Sequence, residues 1–296
     1  MDESITDILI NGHECIFIDK GLGLEKTKLK FKSEELLKIF AQKIAFARGK
    51  RLDQSQPYVD TKLTKNIRFH CILSPLSSPG TLISLRIHKN KTFKLDDLEK
   101  LETITRQQKT FLKQIIDNEK SFVICGGTGS GKTTLLNTLI SEIDKNSRII
   151  VIEDLQEIIT NHPHLISLEA RQANIEGVGE ITMRDLVKQT LRMRADRLII
   201  GEVRGIEVMD WLAALNTGHK GGAGTIHANS IYEVINRFES LGFSAGCSRE
   251  LIHSQISTAL QYVIHVEKTK QGIRKIVEIG EFVKENDQIV IKRIDV

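Results

Sequence analysis

The sequence predicts an α/β protein of two domains: a small α+β domain over residues 1–88, a linker over 89–94, and a larger domain with a parallel sheet over 95–296. Three observations lead there. The length of 296 residues suits two cores better than one. The first hundred residues alternate short β-like runs with one good helix. From Thr105 the order becomes helix, strand, glycine-rich loop, helix, strand, as in a parallel α/β unit.

In the first domain, Ile5 to Ile10 reads as a strand ending at the turn Asn11-Gly12, with Cys15 to Ile18 as its hairpin partner. Ser33 begins a helix as N-cap, followed by the first-turn acids Glu34 and Glu35, and Leu36, Leu37, Phe40, Ile44 and Ala47 recur at helical spacing. Arg68 to Leu73 and Thr81 to Ile87 are two further strands, separated by a turn-rich segment from Ser74 to Gly80. Lys89 to Lys94 is polar and basic without apolar period, hence the linker, and helical pattern restarts at Leu95. The second domain then gives helix Gln107 to Asn118, strand Ser121 to Cys125, a helix through Ile143, strand Arg148 to Ile152, helix Thr182 to Arg194 and strand Arg197 to Ile200. No repeat or low-complexity segment interrupts this.

Composition excludes disorder and fibre: 40% of residues are hydrophobic, 27% are charged, and the mean hydropathy is -0.16. No stretch reaches the apolar length of a membrane span, and the acidic start Met1-Asp2-Glu3-Ser4 is unlike a signal peptide, so a cytoplasmic location is expected. Cys15, Cys71, Cys125 and Cys247 show neither zinc nor disulfide spacing and read as reduced thiols. The net charge of +4 is too small to indicate a nucleic-acid protein. Its distribution is uneven, with 18 Lys/Arg against 13 Asp/Glu in residues 1–100 and 24 against 25 thereafter. That basic excess is either a solvated surface or a face for an acidic partner or anionic lipid.

Gly126-Gly127-Thr128-Gly129-Ser130-Gly131-Lys132-Thr133 matches G-x-x-x-x-G-K-[ST] between an apolar strand and a helix, the context a P-loop requires. Its backbone N–H groups and helix N-terminus would hold the β-phosphate of ATP, Lys132 would reach the β- and γ-phosphates, and Thr133, followed by Thr134, would ligate Mg²⁺. Two apolar strands end in acids. Ile149 to Ile152 leads into Glu153-Asp154, with Glu157 one turn on, and Leu198 to Ile200 leads into Gly201-Glu202. In a parallel sheet both reach the P-loop's edge. Glu202 fits a role on Mg²⁺, partly through water, and Glu153 fits the base that polarises the lytic water; the two roles are interchangeable on sequence, and an acidic helix cap is the alternative.

His219 and His227 lie eight residues apart among glycines. Three readings stand: a metal site lacking a good third ligand, a flexible loop, or a sensor of the γ-phosphate. Arg171, Arg184, Arg192, Arg194, Arg197 and Arg204 are either surface charges or arginine fingers across a subunit boundary.

In this order, GGTGSGKTTLLN, IVIEDLQE, LRMRADRLIIGEVRG and NTGHKGGAGTIHANS resemble the type II/type IV secretion ATPase superfamily. LEARQANIEG, the run GEITMRDLVKQTLRMRADRLIIGEVRG, and ALNTGHKGGAGTIHANS resemble most closely the tight-adherence (Flp/Tad) pilus assembly ATPases, with conjugation-type ATPases next; ITDILINGHECIFID, GKRLDQSQPYVDTKL and NIRFHCILSPLSSPGTLISLRIH extend the likeness forward. The resemblance implies a small PAS-like N-terminal α+β domain followed by a RecA-like P-loop NTPase domain, and a Mg²⁺-dependent, ATP-hydrolysing homo-hexamer. Lys132 and Thr133 would be Walker A, Glu153 the acid box, Glu202 Walker B, His219 and His227 the histidine box. Arg68 and Arg86 match N-terminal-domain arginines that reach nucleotide, and closure of that domain over ATP would be the power stroke.

The implied partners are an inner-membrane platform protein and a pilin or secretion apparatus, with peripheral membrane association through the partner and no specific nucleic acid. Ala195 and Ile206 depart from the branch's usual Pro and Gly, the four-cysteine zinc module of type II exporters has no counterpart in the sequence, and a start directly at the small domain leads to the expectation of a docking mode without the extra N-terminal segment of many relatives. A conjugative ATPase, a nucleotide-gated scaffold with little turnover and a nucleic-acid translocase are the competing functions.

Overall fold

The computed structural model describes every residue except 1, 3, 22, 65, 88–91, 172, 174–177 and 287. Positions 89–91 of the expected linker, position 88 at the expected domain end, two residues of the acidic start and part of the LEARQANIEG segment fall outside the described residues.

The first compact unit takes in Met1–Lys91 and Ala173–Gly179. Its strands are β1 (Asp7–Asn11), β2 (Ile16–Asp19), β3 (Leu24–Lys26), β4 (Tyr58–Thr64), β5 (Ile67–Ile72) and β6 (Leu82–Ile87), with helix α1 (Glu34–Ala47) between β3 and β4. They form an antiparallel sheet in the order β3-β2-β1-β6-β5-β4. Ser33 Oγ accepts from Leu36 N at 3.3 Å, so α1 starts where the sequence indicates. Its buried face differs from the expected one. Leu37, Ala41 and Ala45 pack against Phe69, Cys71 and Ile83, while Leu36 and Phe40 are exposed. The two alanines let the helix approach the sheet closely, which turns the larger side chains outward. On the sheet's other face, Asp7, Arg86 and Arg68 lie side by side on β1, β6 and β5.

The second unit takes in Thr92–Gln172 and Glu180–Val296. Its strands are β7 (Phe122–Cys125), β8 (Ile149–Glu153), β9 (Leu165–Glu169), β10 (Arg197–Ile200), β11 (Ala223–Ile226), β12 (Tyr262–Lys268), β13 (Arg274–Glu285) and β14 (Gln288–Ile294). The sheet order is β14-β13-β12-β7-β11-β10-β8-β9, parallel from β12 to β9, with β13 and β14 added antiparallel.

Seven helices accompany it among the described residues: α2 (Leu95–Lys100), α3 (Arg106–Asp117), α4 (Lys132–Ser141), α5 (Met183–Thr190), α6 (Glu207–Asn216), α7 (Glu233–Ser244) and α8 (Arg249–Ala259). Successive strand residues alternate between two cores. Ile150, Ile152, Leu198 and Ile200 join α6, α7 and α8 on one face. Ile149, Val151 and Ile199 join α3 and α4 on the other. This double burial explains the unbroken apolar runs of β8 and β10.

Helix α5 stops at Thr190, short of the expected Arg194, because the chain must turn into β10. Arg194 takes a left-handed φ of 53°, and Arg148 Nε donates to Met193 O at 3.0 Å to hold that turn.

Candidate functional site

The parallel register brings the ends of the central strands to one edge. Cys125 of β7 is level with Ile226 of β11 and His265 of β12, and Ile152 of β8 is level with Ile200 of β10. The residues that follow therefore share this carboxyl edge: Gly126 after β7, Gly201-Glu202 after β10 and His227 after β11, with Glu153 closing β8.

Gly126 has φ 151°, and a Cβ there would fall 2.2 Å from Val266 O and 2.6 Å from Ser130 Oγ, so only glycine fits between β12 and the returning loop. Gly127, Thr128 and Gly129 are exposed at the loop's crest, while Ser130 is buried with its Oγ unpartnered. Gly131, with φ 102°, caps α4, whose first residues are Lys132, Thr133 and Thr134. Lys132 is buried and its Nζ donates to Gly126 O and Gly127 O, each at 2.8 Å. Burial lowers its pKa, and Glu202 opposes that shift. A cradle of loop N–H groups with a lysine folded across it fits a polyphosphate.

Glu202 Oε1 lies 2.6 Å from His227 Nε2, and its other oxygen pairs with Arg204. Glu207, which the sequence reading does not include, organises this corner. Its Oε1 accepts from Arg204 N at 2.9 Å and Gly205 N at 2.8 Å. No local sequence pattern singles it out, because Glu207 is the first residue of α6 and reaches back to Arg204 and Gly205 only once the loop has folded.

Glu153 is 4% exposed, and its Oε1 accepts from Glu157 N at 2.9 Å and Ile158 N at 3.0 Å. The acid therefore does cap the turn after β8. A Cβ on Gly201 would come 2.7 Å from Glu153 Cγ, which puts this carboxylate directly beside the chain leading to Glu202. Thr133 and Glu202 offer oxygen donors of the kind Mg²⁺ takes.

Burial lowers the pKa of His227, Lys132 adds to the shift, and Glu202 opposes it. The ring is therefore neutral at pH 7, and it takes up a proton more readily in the unfolded chain. Its contribution to stability is full above the ordinary histidine value near 6.5 and falls as pH drops below it. In an NMR titration, His227 is expected to titrate below about 6.5, and lower still in Glu202→Gln, where the opposing carboxylate is gone. A midpoint at or above that value would contradict this electrostatic picture.

The histidines do not converge within one chain. His219 Nδ1 donates to Ala214 O at 3.0 Å and precedes β11, whereas His227 follows it. About 13 Å of strand separates them. Among the described residues no group of three or more His, Cys, Asp or Glu could hold a metal ion, so the histidine-metal reading has no ligand set.

Several arginines have structural partners. Arg197 is buried and donates to Gly221 O and Ile116 O, Arg184 pairs with Asp210 at 2.7 Å, and Arg192 donates to Lys188 O. In the first unit, both Arg68 Nε and a terminal nitrogen bind Asp60, and Arg86 Nε donates to half-buried Asp7 at 3.2 Å. All four cysteines are free, with burial raising the thiol pKa of Cys71 and Cys125 to about 12.

Comparison with known proteins places these features in context. The model of the "Type II/IV secretion system protein" family matches residues 1–290. A putative conjugal transfer protein of Mycobacterium tuberculosis is 43% identical over 284 residues, covering 94% of this chain and 81% of the relative. The conjugal transfer protein TrbB of Rhizobium radiobacter is 30% identical, covering 94% and 84%. Among solved structures, the ATPase DotB of Legionella pneumophila superposes with a TM-score of 0.62 at 23% identity, covering 96% of this chain and 78% of that one. The last likeness concerns the fold, an N-terminal domain followed by a RecA-like domain.

Proposed function

Because the chain belongs to the type II/IV secretion system protein family, we propose that it is a Mg²⁺-dependent ATP-hydrolysing motor that drives secretion, pilus assembly or conjugative transfer from the cytoplasmic face of the inner membrane. The observation that carries this reading is the gathering of the P-loop, Glu202, Glu153 and His227 at one carboxyl edge. No helix among the described residues is long and apolar enough to cross a membrane, which suits work through a membrane partner.

The loop N–H groups from Gly126 to Thr133 bind the phosphates, and Lys132 leaves its two carbonyl partners to neutralise them. Thr133 and, partly through water, Glu202 would hold Mg²⁺, which when bound would neutralise phosphate charge. Glu153 accepts the proton of the attacking water. Neutral His227, whose single N–H at Nε2 donates to Glu202 before nucleotide arrives, turns that donor to the terminal phosphate and returns it to Glu202 when the phosphate departs. His219 has no route to this edge within its own chain, so any contact it makes with nucleotide comes from a neighbouring copy.

The working assembly in this reading is a homo-hexameric ring in which Arg68 and Arg86 act on nucleotide held by a neighbouring copy, docked on an inner-membrane platform protein. Specific ATPase activity should then rise with protein concentration, and Arg86→Ala should lose about a hundredfold or more, as when an arginine finger is removed. Activity per chain that is substantial and independent of dilution would overturn the shared site. On cargo, the likeness of GEITMRDLVKQTLRMRADRLIIGEVRG and ALNTGHKGGAGTIHANS to tight-adherence ATPases supports pilus assembly, while the names of both relatives support conjugative transfer.

A further inference from the structure

We infer that Arg274 holds the nucleoside end of the bound nucleotide, its guanidinium lying against the base; this deepens the reading of the P-loop as an ATP site and rests on it. Arg274 opens β13, directly across from Lys268 of β12. Its Nε donates to Gly129 O at 3.3 Å, and a Cβ on Gly131 would come 2.9 Å from its Cδ. The side chain therefore crosses the phosphate loop at Gly129 and Gly131. Among the described residues no acid pairs with it, so its terminal nitrogens and planar face remain available.

The sheet order gives the direction. β11, β10 and β8 lie on one side of β7, and β12 and β13 lie on the other. Glu202, Glu153 and His227 all belong to the first side, which is where the bond between the outer phosphates must be broken. A nucleotide is a linear molecule. Anchored by its phosphates over the loop after β7, with its terminal phosphate toward those acids, it must direct its ribose and base toward β12 and β13. Arg274 is the cation that lies on the loop from that side.

The hairpin carrying it is fixed against the loop, since Gly126 closes on Val266 O of β12 and Thr269 N donates to Ile273 O at 2.7 Å across the turn. An arginine held by its Nε presents a flat cationic face, and such a face stacks on a purine irrespective of its hydrogen-bonding edges.

The test compares ATP with inorganic tripolyphosphate, which has the phosphates and no nucleoside. Purified full-length wild type, Arg274→Ala and Arg274→Lys are assayed for ATP hydrolysis and for inhibition by tripolyphosphate in the presence of Mg²⁺. The expected result for Arg274→Ala is a KM for ATP raised about tenfold, kcat within about twofold, and inhibition by tripolyphosphate unchanged. Lysine, a point charge without a planar face, should restore less than half of the lost affinity. Equal weakening toward both ligands would make Arg274 a support for the loop and overturn the inference, as would unchanged affinity for ATP. If wild type binds neither ligand, the nucleotide reading falls together with it, whereas wild-type binding with an indifferent Arg274→Ala removes the inference alone.

Discussion

Lys132→Ala is expected to lower ATP hydrolysis at least about a hundredfold while leaving the protein folded. The lysine is the buried cation of the loop, and burial already lowers its pKa, so it is poised to gain most when phosphate charge arrives. Removing one preorganised donor from such a site typically costs about 10²–10³ in rate. Its present hydrogen bonds, to Gly126 O and Gly127 O, involve a loop whose crest is exposed, and water can replace them. Circular dichroism and thermal melting should therefore match wild type, and phosphate release should not.

Glu153→Gln is expected to reduce kcat about a hundredfold with ATP affinity retained, the loss associated with a missing general base. Glutamine keeps one carbonyl oxygen, which can still accept from Glu157 N and Ile158 N, so the turn after β8 survives. Glu202→Gln should behave differently. Glu202 faces His227 and Arg204 and acts electrostatically on Lys132, so its loss should raise the Mg²⁺ concentration needed for half-maximal activity. If Glu202→Gln abolishes kcat at unchanged Mg²⁺ requirement while Glu153→Gln shifts that requirement, the two acids exchange roles. Steady-state hydrolysis across a Mg²⁺ titration decides between the assignments.

The strands legible in the sequence are those with strong local signals. β7, β8 and β10 are unbroken apolar runs, and the two acids announce themselves because they end such runs. The missed strands lack that contrast. β11 is Ala-Gly-Thr-Ile inside a glycine-rich stretch, and its strand character comes from burial between β7 and β10. β13 and β14 carry charged residues among their apolar ones, as an antiparallel edge partly open to water allows, whereas β12 is an apolar, mostly buried run with charge only at Glu267 and Lys268.

The same limit governs the site. A motif reading sees Gly126–Thr133 and the acids, but Glu207 and Arg274 act on their neighbours through geometry formed only on folding. Proximity in sequence also misleads. His219 and His227 share one loop-like segment yet flank opposite ends of β11, and Arg197, in the arginine cluster, is committed to backbone carbonyls.

Whether this carboxyl edge hydrolyses ATP is decided by phosphate release from purified protein over a range of concentrations, with Mg²⁺ or EDTA, for wild type beside Lys132→Ala. Wild type should release phosphate with Mg²⁺, stop with EDTA, and exceed Lys132→Ala at least about a hundredfold at every concentration where it is active. Hydrolysis that persists in Lys132→Ala or in EDTA, or its absence from folded wild type at all concentrations, would mean that this edge is not a Mg²⁺-dependent ATPase site.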